Sequence, residues 1–190
     1  LTGLVLVAST AIALVAWQSI GTSPDSPPTT RASALWDRDY QSFAELLDSP
    51  GAVAVVGRVI SVNPSYAIEG VPFTPAVIDV ESVLAGSDRV GAESLTVVQT
   101  GGTIPGGRTV HIEDVQLLAI EDRVLLFLIP EPVSGYWAIT GGPYGHFMID
   151  NGEVRSATLN EMFDVESHPL VIAVQDRTLE EVSGEIEALE

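Results

Sequence analysis

The stretch AVAVVGRVISV, residues 52–62, decides the fold. Apolar side chains occupy both alternating faces of this run, so a strand formed here is covered on both sides. Gly57 interrupts the run near its middle, and a glycine inside a strand typically marks a bulge or a sharp bend. A long first strand that bends at a glycine can pair on both of its edges in a small closed barrel. The stretch therefore predicts a small β-barrel, with a two-sheet sandwich as the alternative.

Further strands follow this stretch. Residues 73–84 alternate between an inner face, which carries Ala76 and Ile78, and a wet face, which carries Asp79 and Glu81. The other predicted strands are residues 95–100, 123–129, 136–140, 146–150 and 153–158. Asn151-Gly152 is the strongest hairpin signal in the chain, and it joins the last two of these strands.

Two helices flank the predicted strands. One covers residues 36–48, because its large apolar side chains recur at helical spacing, at Trp36, Tyr40, Phe43 and Leu47. The other lies near the C-terminus, where Thr178 and Glu181 have capping-box spacing and one face is apolar, at Leu179, Val182, Ile186 and Leu189. We therefore expect a mostly β fold, a small OB-like β-barrel with flanking N-terminal and C-terminal helices over residues 36–190.

An apolar segment precedes this domain. Residues 1–20 carry no charge and are long enough to cross a bilayer as a helix. They are either a signal peptide or an uncleaved anchor, and we favour the anchor. Residues 21–35 are rich in Pro, Ser and Thr, which predicts a disordered linker. We expect a single-pass membrane protein with an extracytoplasmic domain, or a secreted protein if the segment is cleaved.

Composition excludes several classes of function. The formal net charge is -18, and all eight cationic side chains are arginines. Such a chain is repelled by phosphate backbones, so we expect no nucleic-acid partner. The absence of cysteine excludes disulfides, a thiolate nucleophile, cysteine-ligated zinc and a lipid-modified cysteine. An acidic surface suits cations, basic partners or simple solubility, and solubility is the commonest explanation.

Candidate metal ligands lie in two segments, one that is β or irregular and one that is a predicted strand. His111 and Glu113 are two residues apart, and His146 and Asp150 are four apart, so each pair shares a strand face. If they converge, the chain is a metal-dependent hydrolase. Acidic loops such as residues 150–153 suggest instead a calcium-stabilised structural envelope domain. No G-x-S-x-G motif supports serine catalysis. We predict no cofactor and lean against an enzyme.

The glycine-rich run TGGTIPGGR, residues 100–108, is the candidate contact loop. A phosphate-binding loop has Lys-Ser/Thr opening a helix after its glycines, and this run lacks both features. A long hairpin loop is the better interpretation, and loop tips often carry recognition. Together with residues 141–145 it forms the predicted contact surface, with candidate binding residues Thr103, Ile104, Arg108 and Tyr144.

The strand pattern resembles the netrin-like fold, the OB-type barrel that is shared with tissue inhibitors of metalloproteinases. The matching stretches are residues 55–59, 77–86, 95–100 and 121–127, with Glu121 where the family typically has glycine. The resemblance covers about residues 51–140 and implies a barrel that binds proteins through its loops and rim. The family's inhibitors chelate the protease zinc through an N-terminal cysteine, which this chain lacks, so no site residue carries over.

The hypothesis that best joins these features is a membrane-tethered extracytoplasmic binding module without catalysis. It rests on the apolar segment at residues 1–20, the linker and the lack of a catalytic motif. The predicted partner is a protein of the cell envelope. The metal-dependent hydrolase and the calcium-stabilised domain remain the two alternatives.

Overall fold

The computed structural model describes residues 17–19, 29–32, 39–104, 107, 109–112, 116–131, 134–157 and 167–190. The strands are β1 Trp17–Ser19, β2 Thr29–Ala32, β3 Val53–Val62, β4 Tyr66–Ile68, β5 Val71–Ala85, β6 Ser94–Thr100, β7 Gly102–Thr103, β8 Thr109–Ile112, β9 Arg123–Pro130, β10 Trp137–Ile139, β11 His146–Asp150, β12 Glu153–Ser156 and β13 Arg177–Thr178. The helices are α1 Phe43–Leu47, α2 Pro169–Val174 and α3 Leu179–Glu187, with a 3₁₀ helix at Gly142–Gly145.

Five of these strands close into a barrel. Around the ring the order is β3, β5, β6, β10, β9 and back to β3, and β10 closes the ring by pairing with both β6 and β9. Only the β6–β10 pair is parallel within this ring. Numbered along the chain, the five strands follow the order 1-2-3-5-4-1. The predicted β-barrel is thus confirmed, and its order is consistent with an OB-type barrel.

Gly57 has the structural role that its position in the sequence predicts. The register between β3 and β5 shifts between Val56 and Gly57, so the strand bulges there. A Cβ atom built on Gly57 lies 2.5 Å from the backbone oxygen of Asp79 and 2.6 Å from a side-chain carbon of Ile78. Only glycine permits β5 to approach β3 this closely. Strand β3 pairs with β5 on one edge and with β9 on the other.

Two apolar clusters lie on opposite faces of the barrel wall. The interior cluster is aliphatic and includes Val55, Ile78, Val97 and Leu126. The exterior cluster lies on the outer face of β3 and β9 and is partly aromatic. Phe43 of α1 stacks on Phe127 with a centroid distance of 5.4 Å and an interplanar angle of 7°. Further members come from β11, β12 and the two C-terminal helices, at Phe147, Ile149, Val154, Leu170, Val174, Val182 and Ile186.

The helices differ in part from the sequence expectation. Of the helix predicted over residues 36–48, the helical part in the described chain is Phe43–Leu47, with Ser42 as its N-cap. Residues 33–38, including Trp36, lie outside the described residues. Helix α3 has the predicted capping box between Thr178 and Glu181. Leu189, which we expected on its apolar face, is 45% exposed because the helix ends at Glu187.

Helix α2 was not predicted from the sequence. It begins after His168, whose ring accepts a hydrogen bond from the backbone N–H of Leu170. A histidine N-cap followed by a six-residue helix leaves almost no periodic signal in the sequence.

The N-terminal prediction falls largely outside the described chain. Residues 1–16 and 20 lie outside the described residues, whereas Trp17–Ser19 form β1. Strand β1 pairs with β2, and β2 runs parallel to β8, so part of the predicted linker forms a strand. Within the described residues, every helix is too short or too polar to span a bilayer.

Candidate functional site

The glycine-rich loop forms a hairpin in the described structure. Strand β7 pairs with β8, and the hydroxyl oxygens of Thr103 and Thr109 lie 2.9 Å apart. The turn is closed by a hydrogen bond from the Gly107 N–H to the Ile104 carbonyl oxygen. Thr103 is exposed and Ile104 is half-buried, whereas Arg108 lies outside the described residues. As a contact surface, this hairpin remains a prediction.

Tyr144 lies where the 3₁₀ helix contacts the start of α2. Its ring stacks on the imidazole of His168 with 3.6 Å between centroids and 6° between planes. The Nε2 atom of His168 lies 3.1 Å from a carboxylate oxygen of Asp39, and its Nδ1 accepts from the Leu170 N–H. The 3₁₀ helix that carries Tyr144 packs on β9 and β11, whereas β7 packs on β8 and β5. The two predicted contact loops therefore lie against different strands.

The predicted metal ligands have different surroundings. His111 is exposed on β8, and His146 is buried in β11 with 1% of its surface exposed. Asp150 is exposed and accepts a hydrogen bond of 2.6 Å from the guanidinium of Arg155. Glu113 lies outside the described residues. Among the described residues, no three His, Asp, Glu or Cys side chains are close enough to hold a metal ion.

A polar cleft of about 580 Å³ lies between the start of β9 and the β11–β12 hairpin. Its arginines are paired with carboxylates within the chain. Arg123 contacts Glu81 at 2.7 Å, and Arg155 contacts Asp150 at 2.6 Å. Arg58 lies 3.9 Å from both Glu81 and Glu121. The cleft holds a network of exposed ion pairs, which contribute little to stability and leave its local charge balanced.

The outer face of β4, β5 and β6 carries a different set of side chains. The hairpin β4–β5 turns at Glu69 and Gly70, both with positive φ, and places Tyr66 opposite Phe73. The two rings stack with 5.9 Å between centroids and 26° between planes. We call this surface the aromatic face; its described members are Tyr66, Ile68, Phe73, Val77, Val98 and Tyr136.

Strand alternation explains why these side chains point outwards. Ala76 and Ile78 belong to the interior cluster, so Phe73 and Val77 of β5 lie on the opposite side of the strand. Tyr66 is 37% exposed and Ile68 is 48% exposed. Phe73, Val77, Val98 and Tyr136 are half-buried. The face is thus an apolar platform that the described chain covers only in part.

The electrostatic surroundings of this face are negatively charged. Burial raises the pKa of the Tyr66 phenol, and the neighbouring Tyr136 and Glu131 raise it further. Tyr136 and Glu131 belong to the loop between β9 and β10, so this loop and the β4–β5 hairpin meet at the face. The arginines whose side-chain contacts are described pair elsewhere: Arg58, Arg89, Arg123, Arg155 and Arg177.

The sequence did not indicate this face. We predicted that the outer side of residues 73–84 is wet, because Asp79 and Glu81 lie on it. Phe73 and Val77 lie on the same side of the strand as Asp79 and Glu81. These two apolar residues were the feature of the sequence that could have indicated the face. Tyr66 directly follows Asn63-Pro64-Ser65, whose composition is typical of a turn. Its position opposite Phe73 depends on the two-residue turn that follows β4.

Comparison with known proteins provides no family assignment, since neither a protein-family model nor a curated protein sequence matches the chain. Inference about function therefore depends on the geometry above.

Proposed function

We propose that the chain is a non-enzymatic, extracytoplasmic binding module that docks a basic protein of the cell envelope on its aromatic face. The observation that carries this proposal is the half-exposed platform around the stacked pair Tyr66 and Phe73. Exposed apolar patches bordered by polar groups are typical of protein interaction sites, and aromatic residues dominate the energetics of such interfaces.

Charge indicates which kind of partner fits. Glu69 is exposed at the tip of the β4–β5 hairpin, Asp79 is exposed on β5, and Glu131 lies beside Tyr66. With a net charge of -18 for the whole chain, the face attracts a partner that surrounds an apolar patch with Lys and Arg. The same charge opposes anionic polymers.

The barrel supports the same proposal. The face of the second and third strands, together with the loops at its ends, is where OB-type barrels take their ligands, and β5 and β6 are those strands here. The resemblance of the strand pattern to netrin-like domains, which bind proteins through loops and barrel rim, also favours a protein partner. The apolar segment at residues 1–20 would hold the module at the membrane.

Position-specific photo-crosslinking in cells tests the proposal. A photoreactive amino acid at position 66 or 73 should trap one discrete partner, and the same probe at Ile172 on α2 should not trap it. Ile172 is a suitable control because it is apolar and 52% exposed but lies on a different surface. The trapped protein is then purified, and its binding to the wild-type chain is measured.

Binding by the purified partner should weaken at least tenfold in Tyr66→Ala and Phe73→Ala, because each removes an aromatic anchor. Ile172→Ala should leave the affinity unchanged. Equal crosslinking from all three positions, or equal affinity of all variants, would contradict the proposal. Retardation of the wild type, but not of Tyr66→Ala, in gels that contain a neutral polysaccharide would instead identify a saccharide ligand.

A further inference from the structure

Two buried polar atoms lie where the two ends of one loop meet, a place that we call the neck of the loop. Among the described residues, Thr140 Oγ1 and His146 Nε2 are the buried side-chain atoms that lack a hydrogen-bond partner. Each residue is 1% exposed. Such groups are rare in folded proteins, and each one calls for an explanation. Here both occur within seven residues of sequence, at the two ends of the loop that contains the 3₁₀ helix.

The loop is closed tightly at that neck. Thr140 donates its backbone N–H to Phe127 of β9, and His146 pairs with the adjacent residue Leu126. A Cβ atom built on Gly145 would lie 1.9 Å from the carbonyl oxygen of Thr140, so the two ends of the loop touch. The loop starts with Gly141 and Gly142 in the left-handed region, at φ values of 71° and 57°. Its conformation is thus fixed by glycines and by contact at the neck.

The loop also connects the barrel to α2. Tyr144 at its outer side stacks on His168, the N-cap of α2. Leu170 and Val174 of α2 in turn pack in the exterior cluster with Phe127 and Phe147. Opening of the neck would therefore remove the support for the start of α2 and uncover part of that cluster.

We propose that the loop from Thr140 to His146 is an acid-operated latch, which opens when the His146 imidazole takes up a proton and thereby releases α2. A charged imidazole at this position is fully buried and has no described partner for Nε2, so the protonated form is stable only after the neck opens and admits water. The inference does not depend on the proposed binding function.

Among the described residues around His146, no charged group stabilises its cation. Strand β9 presents Leu125 and Leu126, and β10 ends in Ile139. On β11 and β12, Asp150 and Arg155 pair with each other and are exposed. The remaining ionisable groups on these elements, the loop and the N-cap of α2 are Arg123, Glu153, Tyr144 and His168. Burial alone lowers the pKa of His146, to about 4, so none of these groups acts on it appreciably.

Hydrogen–deuterium exchange of the whole chain at pH 7 and pH 4, corrected for intrinsic rates, tests the latch. Amides of the 3₁₀ helix and of α2 should exchange at least tenfold faster at pH 4 than at pH 7, and at pH 4 they should exchange at least tenfold faster than amides of β3 and β5. His146→Gln, which cannot take up a proton, should abolish the acceleration. His111→Gln, which removes an exposed histidine, should retain it.

Three results would overturn the latch. They are an unchanged acid response in His146→Gln, no acceleration in the wild type, and exchange of the 3₁₀ and α2 amides as slow as that of the β3 and β5 amides, which would show that only global unfolding exposes His146. If His146→Gln does not fold, an NMR titration of the wild type replaces it. The Tyr144 ring and the Leu170 methyl groups should then report a transition at the same pH as His146, and independent transitions would contradict the latch.

Discussion

The outer face of β3 and β9 and the outer face of β5 and β6 are two sides of one barrel, yet the described residues fully cover only the first. Phe127 and Phe147 are 0% exposed beneath α1, α2 and α3. Tyr66, on the second side, is 37% exposed, and Phe73 is half-buried. Both sides carry aromatic side chains on regular strands. The difference therefore depends on which side the described helices pack against, and the docking surface that we propose is the side that they leave partly exposed.

The largest expected effect is the difference in stability between two variants, each of which loses one phenylalanine from one side of the barrel. Phe127→Ala should lower the free energy of unfolding by about 3–5 kcal/mol, because it leaves a cavity in the exterior cluster. Phe73→Ala should cost roughly 1 kcal/mol, since its ring is already partly in water. Urea unfolding of both variants measures the difference. Equal losses would show that the aromatic face is as well packed as the covered face.

A smaller effect on stability is expected when the pH is lowered. The pKa of His146 is lowered from 6.5 to about 4, so the unfolded chain binds more protons between these pH values. The contribution of His146 to the free energy of unfolding is therefore fully present above about pH 6.5. It falls by about 3 kcal/mol in total as the pH drops towards 4. The difference between wild type and His146→Gln in urea midpoints across this range reports the contribution of His146 alone. A difference that does not change with pH would refute the assignment.

The smallest effects come from a matched pair of glycines, one on each side. A Cβ atom meets nothing within 4 Å at Gly184 of α3 or at Gly70 of the β4–β5 hairpin. Gly184→Ala should stabilise the chain by about 0.5–1 kcal/mol, because alanine loses less backbone entropy in a helix. Gly70→Ala should destabilise it by about 1–2 kcal/mol, because its φ of +84° strains any residue with a Cβ. Thermal melts of the two variants should shift in opposite directions. Shifts of the same sign would contradict this explanation.

Much of the β structure could be predicted from local pattern. Strand β3, its bulge at Gly57 and the hairpin at Asn151-Gly152 follow from side-chain alternation and turn chemistry, which act over a few residues. The capping box of α3 is equally local. Helix α2 was missed because its six residues give no periodic signal, and it depends on contacts with β12 and the exterior cluster.

The candidate site could be predicted only in part. Tyr144 was identified as a binding residue from its glycine-rich surroundings, but its ring stacks on His168, which is 24 residues further along the chain. Asp150 and His146 were paired as ligands on one strand face, yet one is exposed and bonded to Arg155 while the other is buried. Composition alone could not show that difference, because burial depends on what packs against each residue.

The sequence by itself determined the barrel strands, the position of the bulge, the tight hairpin and the acidic character of the surface. These properties depend on alternation, on glycine and on charge, which are local or additive. Only the tertiary structure decided that β10 closes the ring, that three helices cover one side, and that Tyr66, Phe73 and Tyr136 meet on the other. Those outcomes depend on contacts between residues far apart in the chain, and the pattern of a single segment does not encode them.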